Sequence, residues 1–309
     1  MQTLTTYIEE NIAFIHLADE ATWALSVDQR GIFLEHLADL AQQSQVKVII
    51  LHCQGRDFYS SKKALDKQAL ICQPSLNELI NAVASYPKPI VALLAGQVLA
   101  DVFSLALACH YRFAVSATKV GFPEVALGLL PSAAAAPRLM HLLGAEASIA
   151  MMFARRFQQV DDVDNGLWLE DVVMQDRQLK VQAVLFAQGL ILNNRLIPPV
   201  FCLYQFADNW HKTKQVLLKK HRGKLLPQVL CQLLEQSVVM TIEEILQLEQ
   251  ELTEDLLSDQ QSKALAYAKN IELQVTTHLP ESTHNNVNSL AIIGAGTMGA
   301  SIATCFLMA

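Results

Sequence analysis

Residues 90–96, IVALLAG, form an unbroken apolar run closed by glycine, and no other stretch constrains the fold as much. Pro87 and Pro89 stop any helix just before it. A run of this kind, apolar at every position, suits a strand covered on both faces. VKVIILH (46–52) repeats the pattern. Between the two, Ser75 and Glu78 open a helix whose Leu76, Leu79, Ile80 and Val83 share one face. Upstream, TTYIEENIAFIHL reads as two short strands around a polar turn. Ser26 with Gln29 then forms a capping box ahead of Phe33, Leu37, Leu40 and Ala41. This alternation predicts an α/β fold with a mostly parallel, helix-covered sheet.

The chain has 309 residues, which suggests roughly two domains. Lys plus Arg is 23 against 30 for Asp plus Glu, a net charge of −7. That balance argues against nucleic acid as a partner, since releasing phosphate counterions takes a basic surface. With 52% hydrophobic and 17% charged residues, the composition excludes disorder and predicts a large core. Cys53, Cys72, Cys109, Cys202, Cys231 and Cys305 show no CxxC pair and no metal-ligand spacing, so they read as reduced, mostly buried thiols and no metal is expected. The N-terminus lacks a basic n-region, and no SKL-like tripeptide ends the chain, which makes a cytoplasmic location the default expectation. Pro89–Cys109 is apolar but is interrupted by Gly96, Gln97, Asp101 and Ser104, so it reads as a buried strand and helix rather than a membrane span.

From about Lys180 the strand signals stop. HKTKQVLLKKHRGK (211–224) carries six Lys/Arg and ends near Gly223, a helix stop. Thr241 with Glu244, and Ser258 with Gln261, open two further helices, so the stretch from about 190 to 273 is expected to be helical throughout. A polar linker follows, and LAIIGAGTMGASIATCFLMA begins something new. The expected domains are 1–190, a helical extension over 191–275, a linker over 276–288, and a final segment over 289–309.

Two motifs, LALACHYRFA (105–114) and GFPEVALGLLP (121–131), resemble the crotonase, or enoyl-CoA hydratase/isomerase, superfamily. The order of segments is similar to the N-terminal part of peroxisomal-type β-oxidation multifunctional enzymes, in which a 3-hydroxyacyl-CoA dehydrogenase domain follows. The resemblance implies a crotonase-like ββα spiral, an all-helical extension and a truncated Rossmann start. It implies acyl-CoA as substrate or ligand, with CoA entering as part of the substrate. Two backbone N–H groups would polarise the thioester carbonyl, and carboxylates would move protons.

Carried onto this sequence, the resemblance puts one acid at Glu124. The second belongs at Ser104, where a hydroxyl cannot act as a carboxylate base. The oxyanion donors would be the backbone N–H groups of Lys62 and Asp101, with the Asp101 charge opposing a developing enolate. Lys63 stands where the family has Asp and is a candidate CoA contact; a solvated charged loop is the competing reading. The family's PGxGGTQR element reads PSAAAAPR (131–138), so methyl groups stand where glycines are expected. Catalysis limited to double-bond migration is expected over hydration, with a non-catalytic acyl-CoA-binding or scaffold protein as the alternative.

Gly294, Gly296 and Gly299 form GxGxxG after Leu290–Ile293, a dinucleotide fingerprint. Only ten residues follow Gly299, so useful NAD binding by this chain is not expected, and NAD would belong to a longer homologous protein. His110 lacks a nucleophile motif and reads as structural. Asp161, Asp162 and Asp164 lack EF-hand spacing and read as a solvated turn. Residues 211–224 read as an exposed helix face, with a CoA 3′-phosphate contact as the alternative, and Trp23, Trp168 and Trp210 as packing residues. Oligomeric state is left open.

Overall fold

The computed structural model describes residues 4–17, 25–55, 72–154, 156–163, 168–193, 197, 209–278, 291–294 and 296–307. The two strands read in TTYIEENIAFIHL are β1 (Leu4–Glu9) and β2 (Ile12–Leu17), an antiparallel hairpin turned at Glu10 and Asn11. Helix α1 (Val27–Gln42) follows, and its expected capping box is present in both directions. Then come β3 (Val48–Gly55), α2 (Leu76–Ala84), β4 (Ile90–Leu99), α3 (Ala100–Ala108), β5 (Tyr111–Val115) and β6 (Lys119–Gly121). After these lie α4 (Ala135–Met152), β7 (Gln158–Gln159), β8 (Asp171–Val173) and α5 (Asp176–Asn193).

The sheet runs β1-β2-β3-β4-β5-β8, parallel except for the first pair. β4 is shared: its first part pairs with β3 and β5, and Gln97–Leu99 pairs with β6. Gly96, at φ 72°, lies where β4 passes from one set of partners to the other. The apolar runs are explained by burial on both faces. Val48, Ile50, Val91 and Leu93 pack toward α5, while Ile49, Leu51, Ala92 and Leu94 pack into the main core with α1, α2 and α3. α3 is buried at nearly every position. Pro89–Cys109 is therefore interior strand and helix, and among the described residues no helix is long and apolar enough to cross a membrane.

The later helices are α6 (Trp210–Lys220), α7 (Leu226–Ser237), α8 (Ile242–Ser258) and α9 (Gln260–His278). Helicity is not continuous, because turns at 221–225 and 238–241 separate α6, α7 and α8. The Thr241–Glu244 box caps α8 as expected. The cap of α9 is not Ser258, which ends α8. Asp259 accepts from the N–H groups of Gln261 (2.7 Å) and Ser262 (3.3 Å), a role its charge fits better than a hydroxyl. Leu230, Leu233, Leu234, Ile245 and Leu256 belong to the same core as the sheet. The chain packs as two units, Met1–Asn270 and Ile271–Ala309.

In the second unit, α10 (Thr297–Leu307) starts directly after the GxGxxG turn. Gly294 has φ 107°, and a Cβ on Gly299 would lie 2.0 Å from the Gly294 carbonyl oxygen, so the third glycine is a steric requirement. The strand expected at Leu290–Ile293 is not formed over Ala291–Ile293, and no partner strand stands beside it among the described residues.

Candidate active site

Glu124 lies in the 3-10 turn Pro123–Leu127, ended by Gly128 at φ 77°. The turn is pinned from inside, since the Leu129 N–H donates to the Glu124 carbonyl at 3.1 Å. From α9, the Ser262 hydroxyl donates to the Gly128 carbonyl at 3.1 Å. The Glu124 side chain is 7% exposed, and neither carboxylate oxygen has a hydrogen-bond partner among the described residues. Burial is the main cause that pushes its pKa up to about 8, against the pull of its own backbone N–H, and the charges of Asp101 and Glu249 push upward as well. A carboxyl with that proton affinity can both accept and return a proton near neutral pH.

The α3 side of the site carries Ser104 and Asp101. Ser104 is fully buried, and its hydroxyl has no partner among the described residues. Asp101, in the first turn of α3, is partly buried. Its carboxylate accepts from the Leu25 N–H at 3.2 Å and from the Ser132 hydroxyl at 3.2 Å, tying the start of α3 to the PSAAAAPR element. Burial raises Asp101 to about 6 against the pull of Arg30 and these two donors. The Asp101 charge, held by these donors, acts on Glu124.

The PSAAAAPR element leads into α4. Ala133 and Ala134 take φ 58° and 55°, and Ala100 before α3 takes φ 50°. Alanine thus occupies left-handed conformations that cost an L residue roughly 1–2 kcal/mol apiece. The backbone path is one that glycine favours, while the side chain is not glycine. Arg138 is fully buried and donates to the Ala133 carbonyl; its Nε and Nη2 lack partners among the described residues.

Sequence reasoning missed Glu249. It lies on α8, 4% exposed, and its two oxygens accept from the Ala134 N–H at 3.2 and 3.0 Å. Burial raises it to about 8, against the Ala134 bond and Arg138. A signal was available: Glu249 interrupts the apolar stripe of Ile245, Leu246, Leu252 and Leu256.

Lys62 and Lys63 lie outside the described residues, as do Trp23 and Asp164. His110 is structural: its Nδ1 accepts from the Ile90 N–H at 3.0 Å, and burial, helped by Arg112, lowers it to about 4. Trp168 is buried against Phe103, and the Trp210 indole donates to Glu235. Asp161 and Asp162 are exposed, and no group of three metal-ligating side chains occurs among the described residues. The basic stretch forms the exposed face of α6, with Lys214 paired to Glu235 at 2.7 Å.

Residues 7–199, well over half of the chain, match the family Enoyl-CoA hydratase/isomerase. The chain belongs to that family. Among curated relatives, it is similar to "Peroxisomal bifunctional enzyme" of Cavia porcellus, 29% identical over 83% of this chain and 36% of the relative. It is similar to the protein of that name in Danio rerio, 26% identical over 96% and 42%. To "Fatty acid oxidation complex subunit alpha" of Shewanella baltica it is 26% identical over 87% and 41%. The chain thus spans well under half the length of these relatives. Among solved structures, an enoyl-CoA hydratase from Bacillus halodurans shares the fold at TM-score 0.58 and 18% identity, covering 86% of this chain and all of that one. An enoyl-CoA hydratase/isomerase from Pseudoalteromonas atlantica does so at TM-score 0.61 and 14% identity, covering 91% and 100%.

Proposed function

We propose that this family member acts on acyl-CoA thioesters of fatty-acid β-oxidation, moving a double bond rather than adding water. One observation carries the reading: a buried carboxyl, Glu124, whose oxygens have no side-chain partner among the described residues and whose proton affinity is matched to neutral pH. In this account ionised Glu124 removes the C2 proton of a 3-enoyl-CoA. The C2–H electron pair becomes the C2=C3 bond of the product, and the former C3=C4 pair takes the same proton back at C4. Backbone N–H groups of Lys62 and Asp101 are the proposed donors to the thioester oxygen, where charge develops between the two steps. Hydration asks for a second acid to hold water, and Ser104 has no carboxylate to offer. CoA enters as part of the substrate. The GxGxxG turn is proposed as the start of a Rossmann domain whose NAD chemistry belongs to a longer homologous protein, as in an incomplete 3-hydroxyacyl-CoA dehydrogenase fragment.

The test is double-bond migration on 3-enoyl-CoA by the purified chain, compared with Glu124→Gln. Turnover abolished by the substitution supports the proposal; absence of turnover on both 3-enoyl- and 2-enoyl-CoA overturns it. Ser104 and the alanines at left-handed positions favour one competing reading, an acyl-CoA-binding or scaffold protein without catalysis. Calorimetry separates the two, since that reading requires acyl-CoA binding without turnover.

A further inference from the structure

The helices beyond the family-matched segment reach into the acid site. Residues 7–199 match the family, yet Glu249 on α8 places both carboxylate oxygens on the Ala134 N–H at the start of α4. Ser262 on α9 similarly holds the carbonyl of Gly128, which closes the Glu124 turn. We propose that Glu249 is a positioning residue for Glu124: by capping α4 it holds shut the 131–138 turn, which follows directly on the turn that carries Glu124. The proposal rests on the reading of Glu124 as the working acid.

Three observations converge on this role. First, the capped turn is one that alanine disfavours, with Ala133 and Ala134 both in the left-handed region, so an outside acceptor is needed to hold their N–H groups in place. Second, a glutamate in the apolar stripe of α8 costs desolvation energy, and a solvent-facing cap would avoid that cost; burial at 4% exposure makes its neighbours matter. Third, among the described residues the charges that act on the acid come from separate elements: Asp101 on α3 and Glu249 on α8 act on Glu124, Arg30 on α1 acts on Asp101, and Arg138 on α4 acts on Glu249. Arg138 partly offsets Glu249, and the remaining negative field favours the protonated form of Glu124.

The experiment uses the full chain and needs no turnover. pH-difference infrared spectra follow the Glu124 carboxyl, assigned in each background by its loss in Glu124→Gln. Glu249→Gln keeps the shape and an oxygen for the Ala134 N–H but removes the charge, and the Glu124 midpoint is expected to fall by about one pH unit, tenfold in proton affinity. Where Glu249 charges over the same range as Glu124, the Glu124 curve of the unaltered chain is expected to spread over more than the roughly two pH units of a lone acid. Any turnover should keep its KM in Glu249→Gln while its pH profile moves with the carboxyl. An unchanged midpoint in Glu249→Gln overturns the proposal, and so does a single-site Glu124 curve in the unaltered chain should that variant fail to fold. A chain that turns over no enoyl-CoA but shows the shift loses the proposed activity and keeps this coupling.

Discussion

Glu124 and Glu249 are both buried acids, and the Glu249 charge acts on Glu124. Each has a folded pKa of about 8, above the ordinary 4.5, so the folded chain holds their protons more tightly. Their contribution is fully present below about pH 4.5 and is lost as pH rises toward 8. His110, lowered to about 4 from 6.5, works the other way, and its contribution is complete by pH 6.5. The window between pH 6.5 and 8 therefore isolates the glutamates. Thermal melts should fall by a few degrees across that window, and Glu124→Gln should flatten the decline. A melting temperature that rises there would contradict the burial argument. At the same scale, Ala134 at φ 55° should prefer glycine: Ala134→Gly is expected to stabilise by up to about 1 kcal/mol in denaturant titration, strain relief exceeding the entropy cost.

Elements fix where these residues point. Gly128 ends the acid turn at φ 77°, and a Cβ there would meet the Ser262 hydroxyl at 2.9 Å. Gly128→Ala should cost on the order of 2 kcal/mol and disturb the Glu124 titration, whereas Ser262→Ala should cost about 1 kcal/mol. Equal and negligible effects of both on unfolding free energy would show that α9 does not hold the turn. Much of this level was legible beforehand. Alternating apolar runs identified β3, β4 and their covered faces because parallel strands bury both sides, and Ser26–Gln29 and Thr241–Glu244 mark their helix starts through local bonds alone. Other features depended on distant partners. The Asp259 cap outcompeted Ser258 by one residue, and Glu249 acquires meaning only where α8 meets Ala134, 115 positions away. The glycine-to-alanine replacements were visible as letters, but their positive φ angles are properties of the folded turn.

At the scale of the molecule, the extension shares the core of the family-matched segment. Leu230, Leu234, Ile245 and Leu256 are fully buried in the cluster that also holds Ile49, Leu94 and Phe103. A chain cut after residue 199 should therefore expose that face, bind a hydrophobic dye and melt without cooperativity; a sharp transition with no dye binding would mean that the extension is dispensable. The GxGxxG turn keeps its close approach at Gly299, yet Ala291–Ile293 has no strand partner among the described residues. An NAD titration of this chain is accordingly expected to be silent. The most direct measurement of the central claim is the rate of 3-enoyl-CoA double-bond migration as a function of pH. The expected rate climbs toward a plateau as Glu124 ionises through about pH 8 and vanishes in Glu124→Gln. Migration at an undiminished rate in that variant would contradict it.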